Sequence, residues 1–292
     1  MQLYSKIILL IKTSRPLSWA LVLIFSAGHF DSQAPISLKA ILQFLSFSIP
    51  FGLFSNGIND IYDYQSDIIN PRKTNDNTVF VFGKVLDPKY HSFVKRCSLI
   101  SGLFVFIISV ITLNCVNITL VFILLIVTYF YSAPPLRLKN YPPMDLLSLL
   151  LAFLVFYLSG YTFGNPFLTE IPVEKITNLC TWSLGLLGFV TLANMTDYES
   201  DKEAKVQNCV VSFGMRANSV FIFLCFLTAS IFVRLEFKPM LYYIYFITII
   251  YCTLIFKPTS KYAKILIYFT ILTYLPILFW YIYSLAEKYL NF

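Results

Sequence analysis

Nine apolar stretches, each close to the length a helix needs to cross a bilayer, restrict what this 292-residue chain can fold into. A crossing takes roughly 17 to 25 mostly apolar residues. Such runs lie near residues 16–31, 39–58, 97–114, 116–132, 146–163, 178–196, 218–235, 239–256 and 264–285. Lipid offers no partner to a backbone N–H or C=O, so segments of this kind must be helical. Only 13% of the residues are charged and 58% are apolar, which excludes a soluble globular domain, disorder and a coiled coil. The expectation is an all-α, polytopic membrane protein, a bundle of about nine transmembrane helices forming one domain over residues 1–292. The polar turn Asn114-Cys115-Val116-Asn117 is all that separates the third span from the fourth. The basic lead Met1 to Arg15 has no small-residue cleavage site after it, so the first span is expected to stay in the mature protein.

The net charge of +7 is distributed as a topology signal. With the N-terminus inside, the inner segments carry Lys6, Lys12, Arg15; Arg72, Lys73, Lys84, Lys89, Lys95, Arg96; Arg137, Lys139; Lys202, Lys205, Arg216; and Lys257, Lys261, Lys264, seventeen of the 22 basic residues. One miscounted helix would send every later loop to the other side, so the bias supports nine crossings, N-in and C-out, in a cytoplasmic membrane if the cell is prokaryotic. No basic run is interleaved with aromatics, and nucleic acid is not an expected partner. The six Cys (97, 115, 180, 209, 225, 252) lie far apart with no CxxC pair and read as small buried hydrophobes.

Ten of the 15 acidic residues also fall on or beside the inner face, and a positive anchor gives them no reason to be there. The second span ends Ser55-Asn56-Gly57-Ile58-Asn59-Asp60-Ile61-Tyr62-Asp63-Tyr64-Gln65-Ser66-Asp67. If the helix continues, Asn59, Asp63 and Asp67 share one face at i, i+4 and i+8, with Asp60 one position round. Carboxylates packed this closely repel unless a cation compensates them. Mg2+ suits them, since it takes hard oxygens, keeps waters and bridges carboxylates to substrate phosphates. After the sixth span Asn194-Met195-Thr196-Asp197-Tyr198-Glu199-Ser200-Asp201-Lys202 repeats the device, with two Asp at i, i+4. A lone DxxxD is usually a solvated helix end. Two of them on one face of a chain this poor in acid indicate a divalent-cation pocket, with Asn59, Asp60, Asp63, Asp67, Asn194, Asp197 and Asp201 as candidate metal ligands. Arg72, Lys73 and Lys202 follow the two clusters, and the proline-stiffened loop Tyr131 to Asp145 presents Arg137 and Lys139. Cations beside metal-binding carboxylates suit a diphosphate.

This combination resembles the UbiA-type intramembrane prenyltransferases. Their NDxxDxxxD motif stands here as Asn59 to Asp67 and their second motif, DxxxD, as Asp197 to Asp201, and the likeness runs from Arg15-Pro16-Leu17-Ser18-Trp19 to Val211-Ser212-Phe213-Gly214-Met215-Arg216. The resemblance implies Mg2+-dependent transfer of an isoprenoid chain from a prenyl diphosphate donor to a lipophilic acceptor within the membrane. It assigns the central roles to Asp63, Asp67, Asp197 and Asp201, with Asn59 among the metal and diphosphate positions and Tyr131 and Lys139 as the loop pair. The Tyr131 to Asp145 loop and Asn70-Pro71-Arg72-Lys73 look most like the lycopene elongase and chlorophyll synthase side of the family. After the second motif the chain departs from many relatives, reading Glu203-Ala204-Lys205-Val206-Gln207-Asn208-Cys209 where they have a Gly-containing turn and a Thr.

In such an enzyme the allylic C–O bond loosens as diphosphate charge is stabilised, and the acceptor's π-electrons attack in a water-poor cavity. Tyr62, Tyr64 and Tyr198 sit inside the motifs and are pocket candidates. His29, near the outer end of the first span, and His91 read as surface residues. The long connection Pro71 to Lys95 is a candidate lid. The resemblance of the Tyr131 to Asp145 loop to the elongase side implies a carotenoid-like polyene as the favoured acceptor, and no additional charged group in the spans suits a carboxylated ring, although Arg137 or Lys139 could serve. An aromatic quinone precursor and a tetrapyrrole are the alternatives. An ion-coupled transporter is the non-enzymatic alternative, but its carboxylates belong near the bilayer midplane, not at span ends. The charge bias predicts that a reporter fused after Phe292 lies outside and one inserted near Lys84 lies in the cytoplasm. Finding both on one side would remove a crossing.

Overall fold

The computed structural model describes residues 3–70, 73, 85–169, 171–233 and 238–290, which are helical with no strand among them. The chain divides into two compact units, Met1–Ile171 with Ser200–Asn208, and Pro172–Glu199 with Cys209–Phe292. Six helices of the described residues are long and apolar enough to cross a membrane: Leu38–Tyr62, Pro88–Ile111, Cys115–Ser132, Met144–Tyr161, Val173–Met195 and Cys209–Phe232. Val22–Asp31 and Leu241–Phe256 are shorter apolar helices, and Ser260–Leu290 is a 31-residue helix. Asn114 and Asn117 do form a turn. Leu113 has a positive φ, and the Asn114 side chain caps the next helix by accepting from Asn117 N.

Helix His91–Ile111 shows how these elements meet lipid. Ile100, Leu103, Ile107 and Ile111 share its exposed face, whereas Ser98, Gly102, Val105 and Ser109 share its buried one. Apolar residues outside and small or hydroxylated ones inside is the arrangement of a helix whose solvent is hydrocarbon. Small residues then set the crossings. In the first unit a Cβ on Gly28 would lie 1.9 Å from the Tyr157 carbonyl oxygen, and one on Gly160 would lie 2.1 Å from that of Phe25. Val22–Asp31 and Met144–Tyr161 therefore touch backbone to backbone. A Cβ on Gly57 would lie 2.1 Å from Ser98 Oγ, which donates to the Leu53 carbonyl at 3.0 Å and joins helix Ile49–Tyr62 to His91–Ile111. Edge-on contacts among Phe25, Phe47, Phe51 and Phe156 fill the core between these pairs.

Two polar devices hold that unit. Pro50 cannot donate to the preceding turn, so the second span breaks at Ser48 into Leu38–Phe47 and Ile49–Tyr62. At the end far from the acidic cluster, buried Gln43 donates to Asn117 Oδ1 at 2.8 Å, and Asn117 donates to the Ser159 carbonyl and to Thr162 Oγ1. His29 is buried there too, at 5% exposure against Phe25 and Phe163, which corrects the surface expectation. Its turn of helix lies against the Gly160 crossing, so the ring cannot reach out. His91 is half-buried, its Nε2 3.0 Å from the Leu86 carbonyl oxygen.

In the second unit helices Val173–Met195 and Cys209–Phe232 pack along their length, with Gly188 against Phe226. Tyr251 and Tyr243 hydroxyls bond Thr270 from Lys238–Phe256 to Ser260–Leu290. Gly214, at φ +79° and ψ 167°, takes a conformation open only to glycine and interrupts Cys209–Phe232. Asn218 Nδ2 secures the break by donating to the Cys209 and Gly214 carbonyls.

The backbone crossing is testable. Gly160→Val should lower stability by about 1–3 kcal/mol or more through overpacking, whereas Gly185→Ala, where a Cβ meets nothing within 4 Å, should change little. Equal unfolding temperatures in detergent would contradict the close approach.

Candidate active site

The first acidic motif is where the second span stops. Helix Ile49–Tyr62 ends at Asp63, whose φ of −98° and ψ of 4° bend the chain before the one-turn helix Tyr64–Asp67. The expected unbroken helix through Asp67 is thus jointed at Asp63, although Asp63 N still bonds the Asn59 carbonyl and Asp67 N that of Asp63. The i, i+4 spacing of the oxygens survives the joint.

Each carboxylate meets a cation. Asp60, 2% exposed, is paired with Arg15, and Lys73 Nζ lies 3.6 Å from the same Asp60 oxygen. Lys73 itself donates to Asp67 Oδ2 at 2.6 Å. Asp63 Oδ1 is in contact with Lys139, with Arg137 Nη2 3.6 Å away. Asp63 Oδ2 accepts from Asn59 Nδ2 at 2.8 Å, and the same amide nitrogen donates to Ser132 Oγ at 3.0 Å. Arg15 also reaches Asn59 Oδ1 at 3.4 Å. Its own segment is tied down by Asn56 Nδ2, which donates to the Ser14 carbonyl and to Ser18 Oγ.

The loop after helix Cys115–Ser132 delivers Arg137 and Lys139. Ala133 caps the helix through Tyr129, Arg137 N bonds the Ala133 carbonyl, and Lys139 lies in a short turn, Leu138–Asn140, buried at 7% exposure. Burial pulls the Lys139 ammonium down to about 7, with Asp201 and Asp60 opposing the shift and Arg15 adding to it. Burial likewise raises the Asp67 carboxyl above its usual range, which Lys73 opposes and Asp60 reinforces.

Asp201 therefore lies within electrostatic reach of Lys139. Both belong to the first unit, as does the whole Asn59 to Asp67 motif. Asp201 Oδ2 accepts from Asn208 Nδ2 at 2.8 Å, and its carbonyl accepts from Val206 N. Asp197 belongs to the second unit. The long helix ends at Met195, residues 196–197 form a turn and Tyr198–Glu203 is a new helix. That corrects the single helical face expected for Asp197 and Asp201. Asn194 is half-buried in the last turn, its carbonyl accepting from Asp197 N. Tyr131 is half-buried and Lys202 exposed. Tyr62 is approached by Lys95, whose Nζ is 3.4 Å from its hydroxyl. Arg72 and most of the candidate lid lie outside the described residues.

The oxygen donors fit a hard divalent ion, with no thiol or imidazole among them. Among the described residues no three acidic, His or Cys side chains converge to hold an ion by themselves. Amide, water or substrate oxygens would have to complete the shell, which is how Mg2+ is usually held.

Residues 16–264 match the UbiA prenyltransferase family. The chain belongs to that family. The resemblance drawn from the two Asp motifs is borne out, and so is the all-helical membrane fold. This UbiA-family chain is 29% identical over 214 residues to a lycopene elongase/hydratase of Corynebacterium glutamicum, covering 72% of this chain and 71% of that protein. It is 26% identical over 220 residues to the C(50) beta-cyclic carotenoids biosynthesis protein LbtBC of Dietzia sp. (strain CQ4), covering 75% of this chain and about half, 49%, of that longer protein. It shares its fold with a UbiA homolog from Archaeoglobus fulgidus bound to DMAPP and Mg2+, at a TM-score of 0.62 and 22% identity over 90% of this chain and 96% of the other. A UbiA homolog from Aeropyrum pernix K1 aligns at 0.63 with 15% identity over 89% and 99%.

Arg15 is the residue that sequence reasoning left out of the site. Its neighbours Pro16 to Trp19 mark the family, but only the fold brings residue 15 to residue 60. Asp60→Asn removes the buried carboxylate that the half-buried Arg15 guanidinium faces and should cost about 1–3 kcal/mol, much of it recovered in Arg15→Met/Asp60→Leu. Unchanged thermal unfolding of the Asn variant would show that the pair holds nothing.

Proposed function

We propose that this chain transfers an isoprenoid group from a prenyl diphosphate to a carotenoid-like linear polyene inside the membrane. The observation that carries the reading is Lys139, buried between the Asp63 carboxylate it touches and the field of Asp201. Lys139 thus has a carboxylate of the first motif in contact and Asp201 within electrostatic reach. The lycopene elongase/hydratase of Corynebacterium glutamicum supports the acceptor class, and the Archaeoglobus fulgidus homolog bound to DMAPP and Mg2+ supports donor and metal.

On this reading Asn59, Asp63, Asp67 and Asp201 would supply oxygens for Mg2+, and Asp60 serves mainly to orient Arg15 and Lys73. Bound Mg2+ would neutralise diphosphate oxygens in the ground state and on departure. Lys73 and Lys139, with Arg72, Tyr131 and Lys202, take the remaining charge on the leaving diphosphate. As the allylic C–O bond breaks, its electron pair stays with that diphosphate. The acceptor's double bond then attacks the allylic cation, the cation this leaves on the acceptor loses a proton that the departed diphosphate can accept, and burial of the site keeps water from competing. Nine crossings with the N-terminus inside would put this site at the cytoplasmic face, within one membrane domain.

The test is a membrane assay with lycopene, 4-hydroxybenzoate and a naphthoate against five- to twenty-carbon prenyl diphosphates. The expected result is Mg2+-dependent elongation of the polyene, falling below about one hundredth in Asp63→Ala and in Asp197→Ala. Prenylation of the aromatic acids alone would overturn the acceptor. Full activity of either variant would overturn the site.

A further inference from the structure

Arg137 occupies a backbone conformation that a non-glycine residue enters only at a cost. Its φ is +42° and its ψ 56°, the left-handed region where Cβ crowds the carbonyl. The turn is bonded on both sides. Arg137 N donates to the Ala133 carbonyl at 3.0 Å, and Asn140 N donates to the Arg137 carbonyl at 2.9 Å. Strain of this kind persists where the fold gains from the direction in which the side chain leaves the backbone.

That direction leads to the joint in the first motif. Arg137 Nη2 donates to the Tyr62 carbonyl at 3.1 Å and lies 3.6 Å from Asp63 Oδ1. Tyr62 is the last residue of its helix, and its carbonyl belongs to the negative end of the helix dipole, where a cation is favoured. A guanidinium that grips this carbonyl and faces the next carboxylate sets the angle at which the chain leaves Asp63. One turn later that angle decides where Asp67 points. Lys139 touches the same carboxylate oxygen.

We propose that Arg137 is a positioning residue. It fixes the Tyr62–Asp63 joint so that Asp63 and Asp67 present their oxygens as one site for a hard cation, and it does not itself grip the donor's diphosphate. The inference rests on the metal-dependent transfer proposed above.

Two variants separate the roles. Arg137→Gly removes the guanidinium and relaxes the backbone, so the loop should still form. Arg137→Lys keeps the charge but lacks the planar fork. Binding of Mn2+ to the purified protein without donor, followed by electron paramagnetic resonance, should weaken about tenfold in the Gly variant and less in the Lys variant. Amide exchange at residues 64–68 should quicken in the same order. In turnover, kcat should fall while KM for dimethylallyl diphosphate stays within about twofold. A raised KM with Mn2+ affinity and exchange unchanged would overturn the proposal and make Arg137 a direct diphosphate ligand. No change in any measurement would overturn it as well. If the wild-type protein turns over no donor, the proposed function fails, yet Mn2+ binding and exchange still decide the role of Arg137.

Discussion

The Asp60–Arg15 pair is where the protein meets the constraint that shapes its inner end. A buried carboxylate beside a membrane span is too costly to keep ionised alone, by several kcal/mol even after relaxation. Asp60 is almost fully enclosed, so a cation must come to it. Arg15 comes from the residues before the first apolar helix, and its contact with residue 60 brings the start of the chain to the end of the second span. The hydrogen bonds of Asn56 to Ser14 and Ser18 follow from that approach. With Asp60 and Asp67 sharing Lys73, Asp63 is left to the loop cations.

The rest of the first unit lets this polar end coexist with lipid. The acidic motif and its cations lie at one end of the spans, and farther along the contacts are made by Gly28, Gly57, Gly102 and Gly160, by Ser98, and by rings of Phe. Glycine crossings bring backbones close enough that dispersion holds helices for which water provides no driving force. Where amides are buried at the opposite end, Gln43, Asn114 and Asn117 bond to carbonyls and hydroxyls of neighbouring helices, and no formal charge is needed. Rigid crossings matter to chemistry because a site built on helix ends inherits their precision.

How much of this was legible in the sequence follows from the range of the forces involved. The apolar runs located the helices because hydrophobic length is a local property. The two Asp motifs were legible because their spacing is local as well. The joint at Asp63 was not, since the guanidinium that bonds the Tyr62 carbonyl comes from 75 residues downstream. The burial of His29 was hidden for the same reason, because it depends on the glycines that close its helix onto Met144–Tyr161. The turn before Tyr198 interrupts a stretch with no Pro or Gly to announce it. Arg15 read as one more inner-face cation, because topology and catalysis ask for the same residue type in the same place.

Charge counting at that inner end gives the metal requirement a physical basis. Arg15, Lys73, Arg137 and Lys139 meet Asp60, Asp63 and Asp67, and Asp201 adds its field to Lys139. Among the described residues these four cations are each set against a carboxylate, and burial lowers the Lys139 ammonium further. A prenyl diphosphate brings about three further negative charges. Placing them in a poorly solvated site beside these carboxylates is costly, since repulsion between like charges grows as the dielectric falls. The side chains can orient a diphosphate but cannot by themselves neutralise it. On the proposed reading, divalent cations arriving with the donor would supply the missing charge, held by carboxylates at helix ends.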